Sequence, residues 1–184
     1  MMTKIKISDC KLELALGDIT MQDTEAVVNA ANKRLAPGGG VAGAIHRASG
    51  PELWEECKKL GGCDTGDAKI TKAYNLPNKF VIHTVGPVYG SSKNDAELLK
   101  NSYLNSLKVA DKNGVKSISF PALSTGAFGY PLKEAAEIAL KTIIDYLKSA
   151  GTKIKLVRIV LYNDFSFTVH KNTLKEIFPT QTKK

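Results

Sequence analysis

Short apolar stretches alternate along this chain with longer amphipathic ones. Lys4 to Ile7 and Leu12 to Leu16 switch between apolar and polar residues on either side of the turn-like Ser8-Asp9. That period of two predicts two strands, paired as a hairpin at a sheet edge. Gly17-Asp18-Ile19-Thr20 closes the second strand, and Ala26 to Asn29 is apolar enough to read as a strand buried on both faces. Val41 to Ala48 predicts a helix of small residues. Pro51 opens another that runs through Leu60, since proline fits the first helical position. Ala68 to Ala73 and Phe80 to Val85 read as strands, the second closed by Gly86-Pro87.

Helical spacing returns after the polar loop Gly90 to Asn94. Asp95 is placed to cap a helix from Ala96 to Lys112, whose Leu98, Leu99, Tyr103, Leu107 and Ala110 fall on one side. Asn113-Gly114 ends it. Ser117 to Pro121 reads as a strand and Ala122 to Tyr130 as a loop. Pro131 opens a helix to about Ser149, Leu156 to Leu161 is the last strand, and Phe165 to Phe178 is mostly helix. Strands separated by helices pair in parallel through crossovers. The expected fold is therefore α/β, with a mixed sheet of about six strands between helical layers. Residues 1–184 are expected to form a single domain, with the last few residues as a disordered tail.

Ligands of such sheets sit beyond the carboxyl ends of the strands. Three loops, Gly17-Asp18-Ile19, Asn32 to Gly40 and Ser124 to Gly129, each follow a strand. If those strands are parallel neighbours, the loops share one rim. Gly38, Gly39 and Gly40 have nothing to pack and lose the most freedom on folding. A backbone that approaches an anion, with its amides and the next helix start aimed at it, accounts for them; a plain surface turn is the alternative. Ser124 to Pro131 has the same look, small residues and glycines leading to a proline-started helix. Two such cradles facing one another fit a diphosphate.

Composition narrows the class. With 43% hydrophobic and 24% charged residues in 184, the chain has a globular make-up and the length for one real core. No apolar run approaches the ~18 residues of a membrane span, and Met-Met-Thr-Lys leads into a strand pattern rather than a signal peptide. A cytoplasmic protein without membrane contact is expected. Cys10, Cys57 and Cys63 are odd in number and lack CxxC spacing, which argues against disulfides and structural zinc. His46, His83 and His170 are scattered, so no metal or cofactor is expected. A net charge of +8 is compatible with acidic ligands and equally with a solvated lysine surface.

Two familiar phosphate motifs fail. Gly38, Gly40 and Gly43 match GxGxxG, but about eight residues separate them from the strand, and Glu55 and Glu56 belong in a helix, where a ribose-binding acid would not sit. GxxxxGK[ST] is absent.

Six segments together resemble the macro domain family: GDIT at Gly17, VVNAAN at Val27, GGGVAGAIHRASGP at Gly38, TGDAKIT at Thr65, VIHTVGP at Val81 and PALSTGAFGYP at Pro121. The similarity runs over essentially the whole chain, in the family's order, and looks most like its hydrolase branch. It implies a three-layer α/β/α sandwich that binds ADP-ribose and removes it from proteins or deacetylates O-acetyl-ADP-ribose. Asp18 would then accept from the adenine amino group, with Ile19 helping through its amide. Asn32 would bond the distal ribose, while Asn29 braces the loop. Gly39, Gly40, Val41, Ala42, Ser124, Thr125, Gly126, Ala127 and Phe128 would line the diphosphate and ribose, and Tyr162 would stack on adenine. Asn32, His46 and Gly40 are the catalytic candidates. His83 is expected to be structural.

One position departs from the pattern. Hydrolases of this branch commonly carry an aspartate at position 42, four residues before a histidine and on the same helical face; here Ala42 stands with His46. General-base catalysis typically contributes about 10² to 10⁴, so water would have to be positioned by Asn32 and the substrate's own phosphate, as in family members with GGGVAGA that still act. Three functions stay open. They are hydrolysis of ADP-ribose derivatives by a monomer, non-catalytic reading of ADP-ribose or ADP-ribosylated proteins, and nucleic-acid binding by a basic surface.

Overall fold

The computed structural model describes residues 1–149 and 151–179. The final segment, expected as a disordered tail, falls almost wholly outside the described residues. Among the described residues seven strands and five helices follow one another as β1 (Met2–Ile7), β2 (Cys10–Leu16), β3 (Ala26–Ala30), α1 (Gly40–Ser49), α2 (Pro51–Lys59), β4 (Ala68–Lys72), β5 (Phe80–Thr84), α3 (Asp95–Lys112), β6 (Ser117–Pro121), α4 (Leu132–Lys148), β7 (Leu156–Leu161) and α5 (Asp164–Ile177). A single 3-10 turn, Ile19–Met21, follows β2.

All seven strands form one sheet, ordered β1-β2-β7-β6-β3-β5-β4, one more than the six expected. All seven correspond to segments read as strands from the sequence, so the difference is in the count alone. An edge strand needs a partner on one side only, and β4, half-buried at Ala68, Lys69 and Ile70, finds it antiparallel on β5. At the other edge β1 and β2 make the predicted hairpin, with Ile7 opposite Cys10 across Ser8-Asp9. The inner five strands run parallel.

Successive strand residues point to opposite faces. Val28, Ile82, Phe120 and Ile159 pack with Leu107, Leu140 and Phe167 of α3, α4 and α5. Val27, Val81 and Val160 pack with Ile45 and Leu53 of α1 and α2. The result is the three-layer sandwich. Each of these side chains is worth roughly 1.5–3 kcal/mol when fully buried.

One cap differs from expectation. Asp95 is the first helical residue of α3 rather than its cap. Its carboxylate accepts from the Gly90 amide at 2.7 Å, which ties the polar loop after β5 to the helix. All three cysteines are free and buried, and burial pushes the thiols of Cys57 and Cys63 up to about 11.

Candidate functional site

The parallel core of the sheet sends the loops after β2, β3, β6 and β7 to one rim. Between the second and third of these, on adjacent strands, lies a cavity of about 320 Å³. Ala30, Ala31 and Asn32 close its floor; Gly38, Gly39, Gly40, Val41 and Ala42 form one wall, and Ala122, Ser124, Gly126, Ala127 and Phe128 the other. No lining side chain is charged.

Backbone supplies the polarity. Gly39 caps α1 without a side-chain hydrogen bond, leaving the amides of Gly40, Val41 and Ala42 as the unpaired donors of a helix start. Across the cavity the amides of Gly126, Ala127 and Phe128 likewise donate to no described residue. Unlike the expected second cradle, this one does not use the helix that follows. The lining stops at Phe128, short of α4, so the loop's own backbone provides the donors.

The glycines divide into two kinds. A Cβ on Gly43 would lie 2.4 Å from the Gly38 carbonyl oxygen, so that glycine lets α1 pack against the loop. A Cβ on Gly39 or Gly126 would meet nothing within 4 Å, and neither has positive φ. Protein packing gives no reason for glycine there. The space they leave open faces the cavity.

Asn32 and Asn29 exchange the bracing role. The Asn32 amide is clamped on Ala36, accepting from its N–H at 3.0 Å and donating to its carbonyl at 2.9 Å. The clamp holds a loop in which buried Leu35 sits at φ 56°. Asn32 still lines the cavity and keeps one donor and one lone pair to spare. Asn29 does not brace the loop. Fully buried within the sheet, its amide nitrogen lies 3.1 Å from His83 Nδ1, and His83 Nε2 lies 2.9 Å from Thr71 Oγ1.

His46 is not among the cavity-lining residues. It sits on α1, with its ring centre 6.4 Å from that of His83 and both nitrogens buried without a partner. Burial lowers its pKa. Burial, then the neighbouring His46, takes His83 down to about 3. Both rings are neutral at pH 7.

Asp18, Ile19, Thr125 and Tyr162 lie outside the cavity lining. Asp18 Oδ1 accepts from the amide and hydroxyl of Thr20 at 2.8 and 2.7 Å, and no described residue donates to Oδ2. Ile19 is buried and Tyr162 is 85% exposed. Tyr162 is thus no core aromatic; with exposed Met21 and Phe165 it stands on the rim beside β2 and β7. Sequence reasoning missed Ala30, Ala31 and Ala122 as lining, because alanine carries no chemical signal. It also missed the left-handed φ of 65° at Ser124, whose buried hydroxyl has no partner.

A charge-free cleft with two rows of free amides, at the carboxyl rim of a three-layer α/β/α sheet, defines a module shaped for an anionic ligand. The Macro domain model matches residues 28–139, and the chain belongs to that family. It is 46% identical over 179 residues to the ADP-ribose glycohydrolase MACROD2 of Xenopus laevis, covering 96% of this chain and 43% of that protein. To the O-acetyl-ADP-ribose deacetylase of Escherichia fergusonii it is 54% identical over 142 residues, 74% of this chain and 80% of the other. The Oceanobacillus iheyensis macrodomain, in a variant solved with ADPR, superposes with a TM-score of 0.94 at 40% identity, covering 98% of this chain and all of the other.

Proposed function

We propose that this chain binds ADP-ribose in the cleft and hydrolyses its derivatives, O-acetyl-ADP-ribose or mono-ADP-ribosylated protein, at the distal ribose. The observation that carries this reading is the pair of facing amide rows, Gly40 to Ala42 and Gly126 to Phe128. Uncharged donors in two rows match the two phosphates of a nucleoside diphosphate sugar. The relatives named as a glycohydrolase and a deacetylase supply the reaction class.

In the proposed mechanism Asn32 uses its spare amide valences on the distal ribose while its clamp on Ala36 holds it in place. Gly40, without a side chain at the cavity wall, leaves room for water beside the scissile bond. For an acyl ester, water adds to the carbonyl carbon and the ribose oxygen leaves carrying a proton; the products are the acid and ADP-ribose. His46 contributes by seating α1 rather than by proton transfer, since its ring is outside the lining. Asp18 takes the adenine amino group and Tyr162 stacks on the base from the rim.

A specific observation favours a second reading, that of a non-catalytic reader. Position 42 lines the cavity as alanine, so no carboxylate is there to activate water. Incubation with each substrate, with products weighed by mass spectrometry, separates the two. Release under single-turnover conditions supports the enzyme; binding by calorimetry with ligand intact after prolonged incubation replaces it with the reader. Ala42→Asp raises the rate toward the roughly 10²-fold of a general base if water activation is what the cleft lacks.

A further inference from the structure

Arg158 lies in the middle of β7, beside Glu13 of β2 in the sheet register. Its side chain is only 12% exposed and that of Glu13 only 6%. The Nε donates to Glu13 Oε2 at 2.8 Å. The other arm reaches out of the sheet: Nη1 donates to Gln22 Oε1 at 3.1 Å and to Asp23 Oδ1 at 2.8 Å. Gln22 passes the contact on, its Nε2 donating to the Asp18 carbonyl oxygen at 2.6 Å. The same carbonyl accepts from Met21 N at 3.2 Å.

The loop carrying Asp18 has further anchors: Ile19 is buried with Ile45 and Leu53, and Thr20 donates twice to Asp18 Oδ1. Gly17 N donates to the Leu161 carbonyl at 2.9 Å, Asn78 fastens the carbonyls of Gln22 and Thr24, and Met21 is left exposed. A largely buried ion pair inside a sheet is a poor means of stabilisation, since desolvation cancels most of the attraction. Its outward arm gives the charge a different use. The guanidinium fork is rigid and cannot lose its proton, so it sets the position of whatever its two nitrogens grip.

We infer that Arg158 is a positioning residue for base recognition, holding Gln22 and through it the Asp18 backbone so that the free carboxylate oxygen of Asp18 faces the adenine amino group. This rests on the proposed role of Asp18. It adds a determinant on β7, with one strand, β6, between it and β3, that lies outside the cavity lining.

The test is calorimetric titration of the full chain with ADP-ribose and with its analogue in which hydrogen replaces the adenine 6-amino group. Wild type favours ADP-ribose by roughly two- to tenfold, the worth of one hydrogen bond. Arg158→Met, Gln22→Ala and Asp18→Ala each abolish that preference, and in the Arg158 and Gln22 variants affinity for the analogue is unchanged. Adding Asp18→Ala to Arg158→Met changes the ratio no further. A purely structural role would lower both affinities together, or the melting temperature, and keep the ratio. Preference retained in folded Arg158→Met, or in Gln22→Ala while Asp18→Ala loses it, overturns the clamp alone. If Arg158→Met does not fold, Gln22→Ala decides. Preference retained in Asp18→Ala overturns the base reading and the inference with it.

Discussion

The two helical layers differ in how several of their buried polar groups are paired, although Ser102 and Tyr103 of α3 also bond to distant backbone. In α3, α4 and α5, Ser106, Thr142 and Thr173 each donate to the carbonyl four residues back, and His170 Nδ1 is 2.9 Å from the Ser166 carbonyl. Every one of those bonds is local. Under α1 and α2 the polar groups pair across strands, Asn29 with His83 and His83 with Thr71. There Asn29 Oδ1 and both His46 nitrogens find no partner. Ser124 Oγ, in the cavity wall, is also left over. Asn78 Oδ1 is unpartnered too, and of all these atoms only Ser124 Oγ belongs to the cavity lining.

The largest expected effect is in the layer of α3, α4 and α5. Phe120 is fully buried beneath α3, α4 and α5, and Phe120→Ala should cost about 3–5 kcal/mol, read as a lower urea midpoint. Ligand affinity per folded molecule should hold. If it falls in step with stability, the division between layers is broken.

Acid should act on the other layer. His83 titrates near 3 when folded and near the ordinary 6.5 when unfolded, because burial and then the nearby His46 penalise its charge. Its folded pKa is depressed, so the unfolded state takes up the proton first. The associated stability is fully present above about 6.5 and is lost as pH falls. Between pH 7 and 5 this amounts to about 2 kcal/mol. His46 shifts the same way, as does His170 in α5. Urea midpoints at the two pH values, in wild type and in His83→Gln, isolate the share that belongs to the sheet.

Gly126→Val should separate binding from folding. Its φ is not positive and no atom lies within 4 Å of a Cβ there, so stability should change little. A side chain in the cleft should weaken ADP-ribose binding at least tenfold, about 1.4 kcal/mol, by calorimetry. Unchanged affinity would mean that the open space is not where the ligand sits. The smallest effect is expected for Ser106→Ala, which removes a hydroxyl bonded only within its own helix; about 0.5–1 kcal/mol or less should be lost in the same urea assay.

The fold was legible where residues near in sequence decide it. The Ser8-Asp9 hairpin, the Asn113-Gly114 stop and the proline-led α2 all formed within a few residues of the expected bounds. Asp95 misled because its side chain serves Gly90 behind it rather than the helix ahead. The candidate site was legible as loops: Asn32, Gly39, Gly40, Val41, Ala42, Ser124, Gly126, Ala127 and Phe128 do share one cavity. His46 was less so, since neighbouring Ile45 and Ala44 say nothing about which side of α1 meets the sheet.

Periodicity, turn residues and the spacing of the glycine loops already specify the elements and mark the family, because each is a statement about neighbours on the chain. Strand order is a different kind of fact. Placing β3 between β5 and β6, and β2 against β7, depends on pairings separated by scores of residues, and only those pairings bring the two amide rows face to face. The same holds for Arg158 and Gln22, 136 residues apart. Whether a buried donor or acceptor is satisfied is settled by what the folded chain sets beside it, so the open valences that define the cleft exist only in the tertiary structure.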